Sequence, residues 1–324
     1  MDEKGKKPEK RVDVLPYRPG DEKNILSLFR EAFGKEMAPE YWRWRFVENP
    51  VGEIMINLAW DGDLLASHYP VSPVKISLFG KEYLTGLSLT TMTHPAYRGQ
   101  GLFSALADDL YGRMAKKEMV MAWGFPNSLI HRSRVRELSW VDIYEVPTFQ
   151  KDLADKRPVP EPSDAVRRLN GFDEGFDALW ERVKGGHAVI AKRDKTALDW
   201  RFSRNPVNDY TVFGCYEKET LRGYAVSKVF SDCVDLVDIL CEDDDVGMEL
   251  VFAVVGWAGS KNAKKINTWL NVNLPLHREL EKYGFVNGGP ITYLGGRLLL
   301  PVCDTKDIYD YRNWYITMGD SDVY

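Results

Sequence analysis

The chain repeats itself at long range. Trp44-Arg45-Phe46, followed by Asn49-Pro50-Val51, returns as Trp200-Arg201-Phe202 followed by Asn205-Pro206-Val207, with a constant offset of 156 residues. A looser correspondence lies downstream. Trp123 opens a stretch ending in Ser139-Trp140, and Trp269 opens one ending in Gly284-Phe285. Both stretches pass from a short apolar run through an Asn into a helical pattern with a His-Arg pair, His131-Arg132 and His277-Arg278. A period this long exceeds that of solenoid repeats and implies duplicated domains. A chain of 324 residues has room for two.

The joint between the copies is legible too. Residues 154–163 contain Pro158, Pro160 and Pro162 without apolar periodicity, which predicts an extended linker. The first domain then spans 12–153 and the second 164–302. Residues 1–11 are rich in Lys and Glu, lack an apolar core, and are expected to be a disordered tail rather than a signal or transit peptide. Residues 303–324, with Tyr309, Tyr311, Trp314 and Tyr315, are expected to dock as a C-terminal segment.

Composition removes several functional classes. No run approaches the roughly 20 apolar residues of a membrane span, so no membrane partner is expected. The net charge of −5 argues against nucleic acid as partner. Cys215, Cys233, Cys241 and Cys303 lack metal-ligand spacing, and with only five His no metal site or disulfide framework is expected. A reducing, cytoplasmic setting fits that usage, and the pairing of two halves fits a monomer or a homodimer.

In the first half, residues 12–15 alternate as a strand. Asp21 stands where it would cap a helix whose apolar face is Ile25, Leu28, Phe29 and Phe33. Asp61-Gly62 and Gly80-Lys81 mark hairpins, 87–93 is a strand stopped by Pro95, and 103–117 a helix. Strand 120–123, helix 127–138 and strand 141–146 follow. The order predicts a mixed α/β domain around one sheet.

The segment between that strand and helix, Thr93-His94-Pro95-Ala96-Tyr97-Arg98-Gly99-Gln100-Gly101-Leu102-Phe103-Ser104, carries the chemistry. Two glycines allow a ligand close to the backbone, and the helix N-terminus offers unpaired N–H groups to a pyrophosphate. Arg98 adds a fixed charge. This segment resembles the acetyl-CoA loop of the GNAT superfamily of N-acetyltransferases, Gln/Arg-x-x-Gly-x-Gly/Ala. Arg98 and Gly101 match its first and fourth positions, while Phe103 departs at the sixth. The element order is similar as well. The resemblance implies two GNAT-like acyl-CoA N-acyltransferase domains in tandem, an α/β fold with a mixed sheet, and acetyl-CoA as co-substrate without a metal.

The resemblance further implies that Thr91, Met92 and Thr93 bond the pantetheine arm. Gly99, Gln100, Gly101, Leu102, Phe103 and Ser104 would cradle the pyrophosphate, and Asn127 either contacts pantetheine or caps its helix. The usual catalytic Tyr falls at Val135 and is missing. His131 on the same helix is one substitute. A second comes from tandem relatives of the enhanced-intracellular-survival type, in which the chain end reaches the first active site, making Tyr324 and the acidic Asp320 and Asp322 candidates. His68 and Tyr69 either end a strand facing the cleft or have an ordinary surface role, Tyr144 fits the core, and Trp42, Trp44 and Arg45 either an acceptor pocket or packing between copies. In the second half the corresponding turn, Glu242-Asp243-Asp244-Asp245, has no Gly-x-Gly and would repel phosphates, marking a degenerate copy. The implied activity is acetyl transfer to a primary amine of a small molecule or peptide. The alternatives are a non-catalytic acyl-CoA-binding scaffold and a transferase of the Fem or N-myristoyltransferase sort.

Overall fold

The structure, a computed structural model, describes residues 12–155 and 160–324; the expected tail 1–11 and linker residues 156–159 lie outside the described residues. The first half contains β1 (Asp13–Pro16), α1 (Glu22–Phe33), α2 (Pro39–Phe46), β2 (Met55–Asp61), β3 (Leu64–Leu78), β4 (Lys81–Ser88), β5 (Met92–Thr93), α3 (Leu102–Lys116), β6 (Met121–Gly124), α4 (Ser128–Leu138) and β7 (Val141–Asp152). The second contains β8 (Val166–Leu169), α5 (Glu174–Val183), β9 (Val189–Ala191), α6 (Lys195–Leu198), β10 (Thr211–Glu217), β11 (Thr220–Phe230), β12 (Cys233–Cys241), α7 (Asp244–Ser260), β13 (Lys265–Thr268), α8 (Pro275–Tyr283), β14 (Val286–Leu298), α9 (Thr305–Ile308) and β15 (Trp314–Tyr315). Among the described residues no helix is long and apolar enough to cross a membrane.

Local chemistry sets most boundaries. α1 buries Ile25, Leu28 and Phe29 and ends at Gly34, whose left-handed φ of 69° lets its N–H close on Arg30 O. Asp21 does not cap the helix as expected: its carboxylate accepts from Arg18 N instead. Phe33, expected on the buried face, is 47% exposed because it lies past the packed stripe. Pro39 opens α2, a short helix absent from the sequence reading, at the position where a missing N–H costs nothing. Residues 64–67 and 74–78, which the sequence suggests as separate strands, belong to one long strand, β3.

The sheet order is β1-β2-β3-β4-β6-β14-β7-β13-β12-β11-β10-β8. It reads alike from both ends, with β4–β6 and β12–β13 as the matching parallel pairs. At the centre the halves interleave. β14 lies between β6 and β7, and β7 in turn pairs with β13. Each half lends its last long strand to the other, so the chain divides at the linker while the sheet does not.

The repeated motif lies where the halves meet. Trp44 and Trp200 stack at 5.0 Å, each donating its indole N–H to the other's carbonyl, at 2.8 and 3.2 Å. Asn49 and Asn205 make the same turn, accepting from Val51 N and Val207 N. The sequence repeat therefore records a two-sided interface, which accounts for the Trp-Arg-Phe copies as packing between halves.

Candidate active site

The parallel pairing of β4 with β6 covers only Gly86–Ala122 and Leu87–Trp123. Beyond it the strands part, with Ser88 to Thr93 on one wall and Phe125 to Asn127 on the other of a cleft of about 1160 Å³. A left-handed Thr90, φ 46°, separates β4 from β5. β5 is then held against β3 through Ser67–Thr93 and His68–Met92, with Ser67 Oγ donating to Met92 O at 3.0 Å. The buried hydroxyl of Thr91, on the cleft wall, has no hydrogen-bond partner among the described residues.

The loop after β5 closes one end of the cleft. Gly99 and Gly101 have φ of 77° and 74°, with open space where a side chain would stand. Only glycine adopts that backbone without strain while leaving room for a ligand. Gly101 is the N-cap of α3, so the first N–H groups of that helix face the opening with the positive end of its dipole. Arg98 is exposed beside them, donating weakly to Thr93 O and Ala32 O, both at 3.4 Å. Gln100 bends back to Ala96 O, and Ser104 donates to Glu137 of α4 at 2.8 Å. Leu102 is buried, whereas Phe103 is half-buried, lines the cleft and rests on Tyr69 at 5.6 Å.

Asn127 caps α4, its side chain accepting from Leu129 N and Ile130 N, and borders the cleft too. From α4 the cleft receives Ile130, Ser133, Arg134 and Glu137. Arg134 is 4% exposed, lies over Trp140 at 4.4 Å and joins a buried network in which Tyr69 and Tyr111 share a 2.7 Å hydrogen bond. His131 turns away from the cleft: it stacks on Tyr293 at 3.9 Å with Nε2 2.7 Å from Asp142 Oδ1. Val135 does not line the cleft either. His68 is fully buried behind β5, with Nδ1 3.2 Å from Thr90 O, and burial pushes its pKa down to about 4. Tyr144 stacks on Tyr311.

The cleft is also lined by Lys35 to Ala38 and Tyr41, by Val207 of the second half, and by Asp322 and Val323. Arg201 fixes this last segment, donating to Gly319 O at 3.2 Å, Ser321 O at 3.0 Å and the main-chain oxygen of Tyr324. Asp320 is paired with Arg193 at 2.8 Å. Tyr324 itself lies against Trp269 at 5.1 Å, outside the cleft lining, and burial lifts its phenol to about 12. The sequence pointed to the loop but not to Arg134, Glu137, Val207 or the 35–41 segment. The repeat at Val207 was the one signal that could have found that residue. At the matching place in the second half, Glu242, Asp243 and Asp244 line the hollow, and Tyr315 occupies its inner wall, donating to Ile239 O.

The profile of the acetyltransferase (GNAT) domain matches residues 13–135. Among curated proteins none matches the chain. The fold is shared with a GCN5-related N-acetyltransferase from Kribbella flavida, at 16% identity and a TM-score of 0.67 over 90% of this chain and 71% of that one. It is shared with Eis1 from Mycobacterium abscessus, at 15% identity, TM-score 0.63, and 89% and 74% coverage. It is likewise shared with N-myristoyltransferase from Saccharomyces cerevisiae, solved with myristoyl-CoA, at 11% identity, TM-score 0.59, and 91% and 81% coverage. Residues 13–135 are thus similar to the GNAT acetyltransferase domain, and the chain as a whole shares the fold of these structures.

Proposed function

We propose that the chain transfers an acyl group, acetyl in the first instance, from acyl-CoA to a primary amine, at a single site in the first half. The observation that supports this most is the conjunction of two open, left-handed glycines with the free N-terminus of α3 at the point where β4 and β6 diverge. That arrangement fits a pyrophosphate, and the partnerless Thr91 hydroxyl lies along the wall that the pantetheine arm would follow. Arg98, Gly99, Gln100, Gly101, Leu102, Phe103 and Ser104 hold the phosphate end in this reading, with Met92, Thr93 and Asn127 along the arm. The acidic turn at Glu242 to Asp244 supports a second half that takes no CoA.

The amine nitrogen attacks the thioester carbonyl, the C–N bond forms, the C–S bond breaks, and the thiolate takes a proton. The acceptor approaches between Tyr41, Val207 and Asp322. Asp322 is the carboxylate that meets the ammonium group before it loses its proton. In this reading His131, held by Asp142 and Tyr293, takes no part in the transfer, and Tyr324 acts by anchoring Asp322 and Val323.

The test is single-turnover transfer from acetyl-CoA and from longer acyl-CoAs to a panel of small amines and peptides, in wild type and Arg98→Ala. Acetyl transfer that falls with Arg98→Ala supports the proposal. CoA binding without transfer to any amine favours a scaffold instead, and transfer confined to long acyl chains favours the myristoyl type.

A further inference from the structure

Outside the cleft, a second cavity of about 290 Å³ lies between the two halves, walled by Trp200, Lys75, Lys192, Arg193 and Arg201 from around the interface and by Arg45 from α2. Arg45 is 2% exposed. Its guanidinium lies 4.7 Å over the Trp44 ring and 5.6 Å from that of Trp200. Among the described residues Arg45 makes no ion pair, and its buried Nε has no hydrogen-bond partner. A guanidinium withdrawn from water without a counter-ion is unfavourable, and two indole faces return only part of the loss.

The duplicated residue shows what is missing. Arg201 occupies the same motif position in the second copy and is satisfied by the oxygens of Gly319, Ser321 and Tyr324. Among the described residues no segment does this for Arg45. The acids of the cavity are already engaged: Asp238 and Asp320 hold Arg193, and Asp194 holds Lys192. Lys75 stands exposed on the wall. Positive charge is thus in excess, in a hollow with room for a small molecule.

We propose that this cavity binds a small oxyanion, a carboxylate or phosphate compound, with Arg45 as its principal partner. The anion would do for Arg45 what the chain's last residues do for Arg201, at the seam between the halves. The proposal does not rest on the acyltransferase reading.

Inorganic phosphate and citrate are each titrated by calorimetry into the full chain, into Arg45→Met and into Arg98→Ala. The expected result is one saturable site per chain for at least one of the anions, weakened tenfold or more in Arg45→Met and changed less than twofold in Arg98→Ala. Phosphate alone would assign a phosphate compound, and citrate alone a carboxylate. The proposal is overturned if neither anion saturates, if binding survives in Arg45→Met, or if it is lost in Arg98→Ala instead. Should Arg45→Met fail to fold by circular dichroism, Lys75→Glu takes its place. Several-fold weaker binding is then expected, and unchanged binding overturns the idea.

Discussion

Replacing Trp200 with Ala removes half of the stacked pair on which the two copies meet. The side chain is 6% exposed, so nearly all of its surface leaves water on folding. At roughly 150–250 Å² and about 25 cal/mol per Å², that burial corresponds to roughly 4–6 kcal/mol. Partial collapse of the cavity brings the expected loss to about 4 kcal/mol, inside the range of about 3–5 found for aromatic truncation. Trp200→Phe keeps a ring but deletes the indole N–H that reaches Trp44 O at 3.2 Å, and is expected to cost about 1–2 kcal/mol. Urea unfolding followed by far-ultraviolet circular dichroism measures both without relying on tryptophan emission. Because β7 and β14 are exchanged, wild type and variants should unfold in one transition that shifts as a whole. A loss below about 1 kcal/mol for Trp200→Ala, or two separate transitions of which only one moves, would refute the reasoning.

His68 links stability to pH. Its pKa in the fold is held near 4 by burial, against 6.5 for the free side chain, so the unfolded chain takes up a proton that the folded chain refuses. Stability should fall as the pH drops from about 6.5 to about 4, by about 3 kcal/mol from this residue. His68→Gln should flatten the slope by about 1.4 kcal/mol per pH unit relative to wild type in that window, and equal slopes would contradict it. Gly101→Ala places a side chain at φ 74°, which costs about 1–2 kcal/mol in stability and is expected to weaken acetyl-CoA binding at least tenfold, read by calorimetry. Arg201→Ala releases the oxygens of Gly319, Ser321 and Tyr324. The expected result is a raised KM for the amine with little change in acetyl-CoA affinity, measured by steady-state kinetics, and the reverse pattern would count against the acceptor placement.

The parts of the fold that were legible in the sequence are those coded locally. The turns at Gly62 and Gly80, the break at Pro95 and the opening of α3 at Gly101 each depend on a residue's own conformational range. The repeat was legible because Trp44 and Trp200 do the same work on two sides of one contact. The strand exchange was not, since β14 holds near its start Asn287-Gly288-Gly289-Pro290, a turn-like string at which its register against β7 shifts before pairing resumes at Ile291. The candidate site divides similarly. Its loop is contiguous in sequence, whereas Arg134, Val207 and Asp322 reach the cleft from three separate segments. His131 looked available on helical position alone, but its surroundings are set by Asp142 and by Tyr293, which is remote in the chain.

One CoA site per chain, at the loop Arg98 to Ser104, underlies the proposed transfer. Calorimetric titration of acetyl-CoA into wild type and into an Arg98→Ala, Gly101→Trp variant shown to fold by circular dichroism tests this directly. One site per chain in wild type, absent from the variant, is the predicted result. Two sites, or a site that the variant leaves intact, would contradict it, and so would a wild-type chain that does not bind acetyl-CoA.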